Sequence, residues 1–158
     1  MVVTNKKLKI EEGMLFCVPL RTKGYGVGLI ARRNKNVLLG YFWNRIYLKV
    51  PSKVDLRDYL KENVVLVRQF GILGLKNGEW SIIGALPDFN PKLWEVPKFL
   101  RKTSENEKYI ITYDEKLQFL EQKRVVSEED VSLHLDGMSG YGALEKRLTA
   151  ILDPQIEV

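Results

Sequence analysis

Three short stretches rich in β-branched and aromatic residues follow one another closely near the start of the chain. They comprise residues 14–20, 25–32 and 37–43, and the sequences Thr22-Lys23-Gly24 and Asn34-Lys35-Asn36 separate them. β-Branched and aromatic residues favour strands, whereas glycine and asparagine favour turns. The pattern predicts a three-stranded antiparallel meander.

Three glycines, Gly26, Gly28 and Gly40, lie inside these predicted strands. Glycine in the interior of a strand is typical of a bulge or a sharp bend. We therefore expect a strongly coiled antiparallel sheet or a partly open barrel rather than a flat sheet.

Further strand patterns occur at residues 63–70, 80–86 and 109–113. Residues 55–61 carry apolar side chains at helical spacing, which predicts one or two helical turns there. Residues 117–126 fit a strand and a helix almost equally well, so both interpretations stay open.

The clearest helix signal is at the end of the chain, beginning at Tyr141. Apolar residues recur on one face at i, i+4, i+7 and i+8, and Pro154 closes the segment. The apolar positions are Leu144, Leu148, Ile151 and Leu152. We expect an amphipathic C-terminal helix packed on the sheet, and hence an α+β fold.

Length and composition indicate one domain. The chain has 158 residues, of which 45% are hydrophobic and 28% charged, as in ordinary globular proteins. No internal repeat or Gly/Ser-rich linker divides it. We predict a single domain over residues 1–158 with a core from about residue 8 to residue 152.

The sequence also bears on the compartment. No apolar run approaches the ~20 residues that a membrane helix requires, and the N-terminus lacks the features of a secretory signal. The single cysteine, Cys17, lies in an apolar stretch and cannot form a disulfide framework. We expect a cytoplasmic protein that does not enter the membrane.

Catalytic and metal-binding patterns are weak. The glycine-rich residues 24–28 run into a strand and lack the Gly-Lys-Ser/Thr ending of a phosphate loop. One histidine, His134, and one cysteine cannot build a Cys/His zinc cluster, and His134 lies between apolar neighbours in a predicted short helix, as a structural histidine would. Carboxylate-only catalysis stays open but has no positive support. We predict no enzyme activity, no cofactor and no metal.

A proline-punctuated connection, residues 87–97, carries two large aromatic residues, Phe89 and Trp94. Its prolines are incompatible with a regular helix or a central strand. Aromatic residues on a stiff loop are typical anchors in protein interfaces, which makes these two candidate partner-binding residues. Packing of both rings against the core fits the pattern equally well.

A group of acids follows Ser127, which is a plausible N-cap for a short helix ending near Asp136. The chain as a whole has a net charge of +5, so an exposed acidic patch would stand out and could steer a basic partner. An ordinary helix start is the alternative. The candidate residues are Glu128, Glu129, Asp130 and Asp136.

Positive charge is concentrated in the first part of the chain, which is compatible with nucleic-acid binding as well as with ordinary solvated surface. The side chains that would contact phosphates and stack on bases are Arg32, Arg33, Lys35, Phe42 and Trp43. No recognisable DNA- or RNA-binding motif accompanies them, so nucleic acid is an unlikely partner.

The order of four segments resembles a known family. Residues 12–20 and 24–31 are similar to its opening pair of strands, residues 78–84 to its Trp-x-x-Ile-Gly segment, and residues 137–148 to its closing helix. The family is the immunity protein 26 family of bacterial polymorphic toxin systems, and the resemblance spans about residues 8–148.

The resemblance implies a mostly β protein that binds and neutralises a cognate protein toxin without catalysis. It supplies no toxin-contact residues that can be carried over. We therefore expect an immunity protein acting by steric occlusion, with a small β-rich nucleic-acid-binding protein as the alternative. Self-association through a strand edge or the aromatic loop stays open as well.

Overall fold

The computed structural model describes residues 9–52, 59–125 and 133–153. Nine strands and two helices lie in this part of the chain. The first five strands are β1 (Met14–Pro19), β2 (Tyr25–Asn34), β3 (Val37–Trp43), β4 (Val64–Gly71) and β5 (Ser81–Ala85). The remaining elements are β6 (Phe99–Lys102), β7 (Lys108–Tyr113), β8 (Phe119–Arg124), β9 (Met138–Ser139), α1 (Leu73–Lys76) and α2 (Tyr141–Leu152).

The strands form two separate sheets. The larger has the order β5-β1-β2-β3-β4-β9, and all its pairs are antiparallel except β4 with β9. The smaller has the antiparallel order β6-β7-β8. Among the described residues neither sheet closes into a barrel, so the α+β prediction is confirmed in its sheet form rather than its barrel form.

Both faces of the larger sheet are buried, because alternate residues of its strands enter two different cores. The helix-side core lies under α2 and includes Phe16, Phe42, Phe70, Trp80, Leu144 and Leu148. The loop-side core lies under the smaller sheet and the connection between β5 and β6, and it includes Leu15, Leu29, Trp43, Trp94, Phe99 and Ile111. Strands buried on both faces read as continuous apolar runs, as β1 to β3 do.

The predicted meander is confirmed, and the third stretch coincides with β3. The strands predicted at residues 63–70, 80–86 and 109–113 correspond to β4, β5 and β7. The ambiguous segment at residues 117–126 contains strand β8 and no helix up to Val125. Strand β6 was not predicted.

Of the strand glycines, Gly40 borders a bulge as expected, whereas Gly28 has a different role. The irregularity in β2 falls at Ala31, since Ile30 pairs with Gly40 and Arg32 pairs with Leu39. A Cβ on Gly28 would lie 2.7 Å from the rings of both Phe16 and Phe42. Gly28 therefore makes room for aromatic rings in the helix-side core and is not part of the bulge at Ala31.

The C-terminal helix is confirmed, and one buried carboxylate fixes it to the sheet. Glu145 accepts a hydrogen bond of 3.0 Å from Trp80 Nε1 and forms a 3.0 Å ion pair with Arg21. Pro154, predicted to end the helix, lies outside the described residues.

The helix predicted to end near Asp136 is wrong for its described part. We call residues 134–139 the strap, because this segment pairs with both sheets: Leu135 forms a parallel bridge with Leu100, and β9 pairs with β4. The buried Arg68 donates to Ser139 Oγ at 3.0 Å and to the Leu135 carbonyl at 3.1 Å. Hydrogen bonds to two strands and a buried guanidinium hold the strap extended.

Parts of two predicted helical segments, the one that was to end near Asp136 and residues 55–61, lie outside the described residues. Residues 127–132 precede the strap and are not described. Of residues 55–61, the last begins a single 3₁₀ turn, Lys61–Asn63.

Candidate functional site

The connection between β5 and β6 crosses the loop-side core with little regular structure. Its one regular piece is a 3₁₀ turn, Pro91–Leu93, which begins with the Asn90 side chain accepting a hydrogen bond of 3.1 Å from the Lys92 N–H. Proline fixes the backbone angle φ and lacks an N–H group, so the loop is stiff but poor in internal hydrogen bonds. Its carbonyl groups need donors from elsewhere.

Arg32 in β2 supplies those donors. Its guanidinium donates to the carbonyls of Trp94 and Pro91 at 3.0 Å each, and it pairs with the Glu115 carboxylate at 2.6 Å. The residue is only 3% exposed, so these bonds form with little competition from water. One buried cation thus holds the loop and the β7–β8 hairpin against the larger sheet.

Tyr41 provides a second attachment. Its hydroxyl donates a hydrogen bond to the Glu95 carbonyl. Burial, with a smaller contribution from the nearby Glu95 carboxylate, raises the pKa of Tyr41 to about 12. The hydroxyl therefore keeps its proton, and its donor role, across the physiological range.

The Trp94 ring forms the floor of this region. It meets Tyr41 edge-on at 5.3 Å between ring centroids and Trp43 at 5.8 Å, and Tyr59 packs on Trp43 at 5.0 Å. The residue is 7% exposed. Edge-on aromatic contacts of this kind stabilise beyond simple burial and fix the ring orientation.

Exposed residues border the groove that Trp94 lines. Leu93 is 61% exposed and Leu60 is 45% exposed, and the Lys61 ammonium donates to the Leu93 carbonyl at 2.7 Å. A groove of about 350 Å³ is lined by Lys61, Lys92, Leu93, Trp94 and Glu95. We call Leu60 and these five residues the loop face. It combines exposed leucines, charges of both signs and a pinned backbone, which are properties of a protein-binding surface.

A family model described as Immunity protein 26 matches residues 11–110 of the chain. The chain belongs to the Immunity protein 26 family. Membership implies an immunity protein directed against toxins, in a family that is generally non-enzymatic. Comparison with curated proteins finds no match, and comparison with solved structures finds none either.

The matched part of this Immunity protein 26 chain begins before β1 and ends within β7, so it contains the whole loop face. The similarity to the family that the sequence indicated for residues 137–148 lies beyond the match. The strap and α2 lie outside the matched part.

The structure brings the two predicted aromatic anchors onto one loop but does not leave both rings free. Phe89 is half-buried, and its ring lies so close to Gly13 that a Cβ there would be 3.0 Å from Phe89 Cγ. Trp94 is buried as the floor of the loop face. Leu93, which the sequence analysis did not select, is the exposed apolar side chain beside it. Partner contact through Phe89 and Trp94 stays a prediction.

Asp136 is engaged within the protein. Its side chain is 5% exposed, accepts a hydrogen bond of 2.6 Å from the Tyr113 hydroxyl and forms a 2.9 Å ion pair with Arg101. Burial and the hydrogen bond to this carboxylate raise the pKa of Tyr113 to about 12. The structure therefore places Asp136 in an internal polar contact between the strap and the smaller sheet, apart from any exposed acidic patch.

The other three acids of the predicted cluster, Glu128, Glu129 and Asp130, lie outside the described residues. Their contact with a partner stays a prediction.

The residues proposed for nucleic-acid contact do not form a common surface. Phe42 and Trp43 are buried at 0% and 1% exposure, and Arg32 is occupied by the loop. Only Arg33 and Lys35 are exposed. The two aromatic rings are therefore unable to stack on bases.

His134 is half-buried, as expected for a structural histidine, although it lies in the strap rather than in a helix. Its Nδ1 accepts a hydrogen bond of 3.3 Å from the Val67 N–H, and burial lowers the pKa of the imidazole. Burial also raises the pKa of the Cys17 thiol. Both groups favour their neutral forms.

Over the described ranges, no group of three or more His, Cys, Asp or Glu side chains is placed to hold a metal ion. No helix in the same part of the chain is long and apolar enough to cross a membrane.

Sequence reasoning selected Arg32 as a candidate for phosphate contact and missed its role in holding the loop. Arg32 follows an apolar run of β2, Gly28-Leu29-Ile30-Ala31, in which all four residues are buried. A charged residue at such a position requires polar partners, because an unpaired buried charge is costly. A buried arginine therefore predicts a contacting segment that has free hydrogen-bond acceptors. The proline-punctuated loop is such a segment.

Proposed function

We propose that this protein binds a cognate protein toxin through the loop face and neutralises it by steric occlusion in the cytoplasm of the bacterium that produces the toxin. Membership of the Immunity protein 26 family is the observation that carries the immunity function. The choice of surface rests on the contacts described above.

Pre-organisation supports the loop face. Arg32 and Tyr41 hold the carbonyls of Pro91, Trp94 and Glu95 in fixed positions before any partner arrives. A surface that is already ordered loses less conformational entropy on binding, which favours high affinity.

The pattern of polarity on the loop face also supports it. Leu93 provides an apolar centre at 61% exposure, with Lys61, Lys92 and Glu95 around it. Binding energy in protein interfaces concentrates in a few central side chains, while rim charges mainly set the association rate and specificity. Leu93 is the proposed centre, and Trp94 supports it from below.

Occlusion needs no catalytic group on the immunity protein. A toxin covered at or beside its own active site is inactive for as long as the complex persists, so slow dissociation is the property that protects the cell. We therefore propose a binding function in which each toxin molecule occupies the loop face of one immunity protein molecule.

The first experiment is co-purification of the tagged protein with the product of the adjacent upstream gene, together with rescue of cells that express that product. We expect a stable complex, rescue, and complete inhibition at an equimolar ratio. Absence of both complex and rescue would refute the pairing with that product.

The surface is tested with Leu93→Asp. Because Leu93 is exposed, the variant should fold normally but bind the toxin at least about tenfold more weakly, as expected when a charge enters the centre of an interface. Affinity measurement by calorimetry and rescue of growth both report the effect.

Leu73→Asp is the matched control, since Leu73 is 55% exposed. It follows the end of β4, whereas Lys61 precedes its start, so about 20 Å separates the two sites along the strand. Equal affinities of the two variants would mean that the toxin binds another surface.

A further inference from the structure

Strand β8 is the most exposed strand of the molecule's smaller sheet. All six of its residues are exposed, including Phe119 at 57% and Leu120 at 58%. Among the described residues β8 pairs with β7 alone. A strand edge of this kind offers free backbone groups to another strand.

The direction of those free groups follows from the pairing with β7. The Val125 N–H donates to the Lys108 carbonyl at 2.9 Å. Hydrogen-bonded and non-hydrogen-bonded pairs alternate along an antiparallel ladder. Lys123 and Glu121 therefore also face β7, whereas Gln122 and Arg124 direct their N–H and C=O groups outwards.

We propose that two copies of the chain associate through β8, antiparallel and about a two-fold axis at Gln122. The two smaller sheets then become one continuous six-stranded sheet across the dimer. This proposal concerns a different surface from the loop face and does not depend on toxin binding.

The charges of β8 favour a second copy of the chain as the partner, and they favour one pairing register. A two-fold axis at Glu121 would place two carboxylates opposite each other, and an axis at Lys123 would oppose two ammonium groups. An axis at Gln122 instead places Glu121 opposite Lys123 of the second copy, twice by symmetry. Opposite charges on directly paired residues stabilise a sheet and like charges destabilise it.

The same register satisfies the backbone and covers apolar surface. Gln122 lies opposite Gln122 of the second copy, and both direct their N–H and C=O groups towards each other. Leu120 then lies beside Arg124 of the second copy, whose side-chain stem can cover it. The strand is thus complementary to itself in charge, hydrogen bonding and exposed apolar surface.

The test is the molar mass of the full chain in solution, measured by analytical ultracentrifugation over a range of concentrations. We expect a monomer–dimer equilibrium. A wild-type protein that stays monomeric at all concentrations would overturn the proposal. If it stays monomeric while a change at Gln122 weakens toxin capture, the edge binds the toxin and self-pairing is wrong.

Charge exchange tests the register. Glu121→Lys and Lys123→Glu should each raise the dimer dissociation constant by about tenfold, because each converts two opposed pairs into like charges. The double variant should restore the wild-type constant, since the pairs return with their positions exchanged. Failure of the double variant to restore it would exclude this register.

Gln122→Pro tests the central hydrogen bonds. The Gln122 N–H faces away from β7, so proline removes no backbone hydrogen bond within the monomer and is tolerated on an edge strand. The one internal bond it removes is the exposed 3.0 Å hydrogen bond that Arg101 donates to the Gln122 side chain. We expect a folded monomer by circular dichroism and ultracentrifugation. A dimer as tight as that of the wild type would show that the copies meet elsewhere.

Discussion

The two faces of the larger sheet are both covered, but they are held by different means. On the helix side, the buried Glu145 carboxylate binds two side chains, those of Trp80 and Arg21. On the loop side, the buried Arg32 guanidinium binds two backbone carbonyls of the loop and the Glu115 carboxylate. One acid docks a helix, whereas one base holds an irregular segment.

The difference follows from how many backbone hydrogen bonds each layer forms internally. Helix α2 satisfies most of its own backbone hydrogen bonds and needs only to be positioned. The loop has a single 3₁₀ turn, and its buried carbonyls would otherwise lack partners. Arginine suits this task because it offers five N–H donors in a fixed plane. The loop side should therefore depend more strongly on one residue than the helix side does.

The largest expected effect is that of Arg32→Met. The variant leaves the carbonyls of Pro91 and Trp94 without their donors, and we expect a loss of about 3–5 kcal/mol in the free energy of unfolding. Urea denaturation measures the loss, and hydrogen exchange should show faster opening of the loop. Exposed Lys102→Met is the control and should change stability by less than about 0.5 kcal/mol. A loss below about 1 kcal/mol for Arg32→Met would mean that the loop has other donors.

A smaller effect is expected on the helix side. Glu145→Ala leaves the buried Trp80 N–H without an acceptor, which should cost about 1–3 kcal/mol. Glu145→Gln keeps an acceptor and loses only the ion pair with Arg21, whose side chain is 44% exposed, so its cost should stay below about 1 kcal/mol. Thermal or urea unfolding compares the two variants. Equal losses would assign the docking of α2 to the ion pair instead of the Trp80 bond.

The smallest effect is a pH dependence at the strap. Burial lowers the pKa of His134 below the ordinary value of 6.5. The contribution of neutral His134 to stability is therefore complete above about pH 6.5 and declines as the pH falls towards the folded-state pKa. His134 is the single histidine of the chain, so urea unfolding between about pH 5 and 8 isolates it. His134→Gln should flatten this dependence, and an unchanged slope would exclude His134 as its source.

Local patterning predicted those parts of the fold that depend on local sequence. Strand β3 coincides with its predicted bounds because turn residues flank it and its apolar run is buried on both faces. The apolar stripe of α2 has the helical period and a buried side, so it was equally recognisable. Strand β8 is different. Its residues have no clear apolar period, and pairing with β7 decides its conformation.

Gly28 and Arg32 show why the remaining features could not be predicted from the sequence. Gly28 is required by two rings that reach it from β1 and β3, and a sequence pattern cannot reveal that contact. Arg32 next to Arg33 looks like an ordinary surface pair. Its partners Pro91, Trp94 and Glu115 are 59, 62 and 83 residues away along the chain. Contacts at such separation depend on the completed fold.

The strap gives the protein a particular order of assembly during synthesis. Its last two residues, Met138 and Ser139, occupy the edge of β4, about 70 positions later in the chain. Until the ribosome has released this segment, the nascent chain displays β4 as an open strand edge, and open edges of incomplete folds attract other chains. Completion of the larger sheet therefore has to wait until Met138 and Ser139 have left the ribosome.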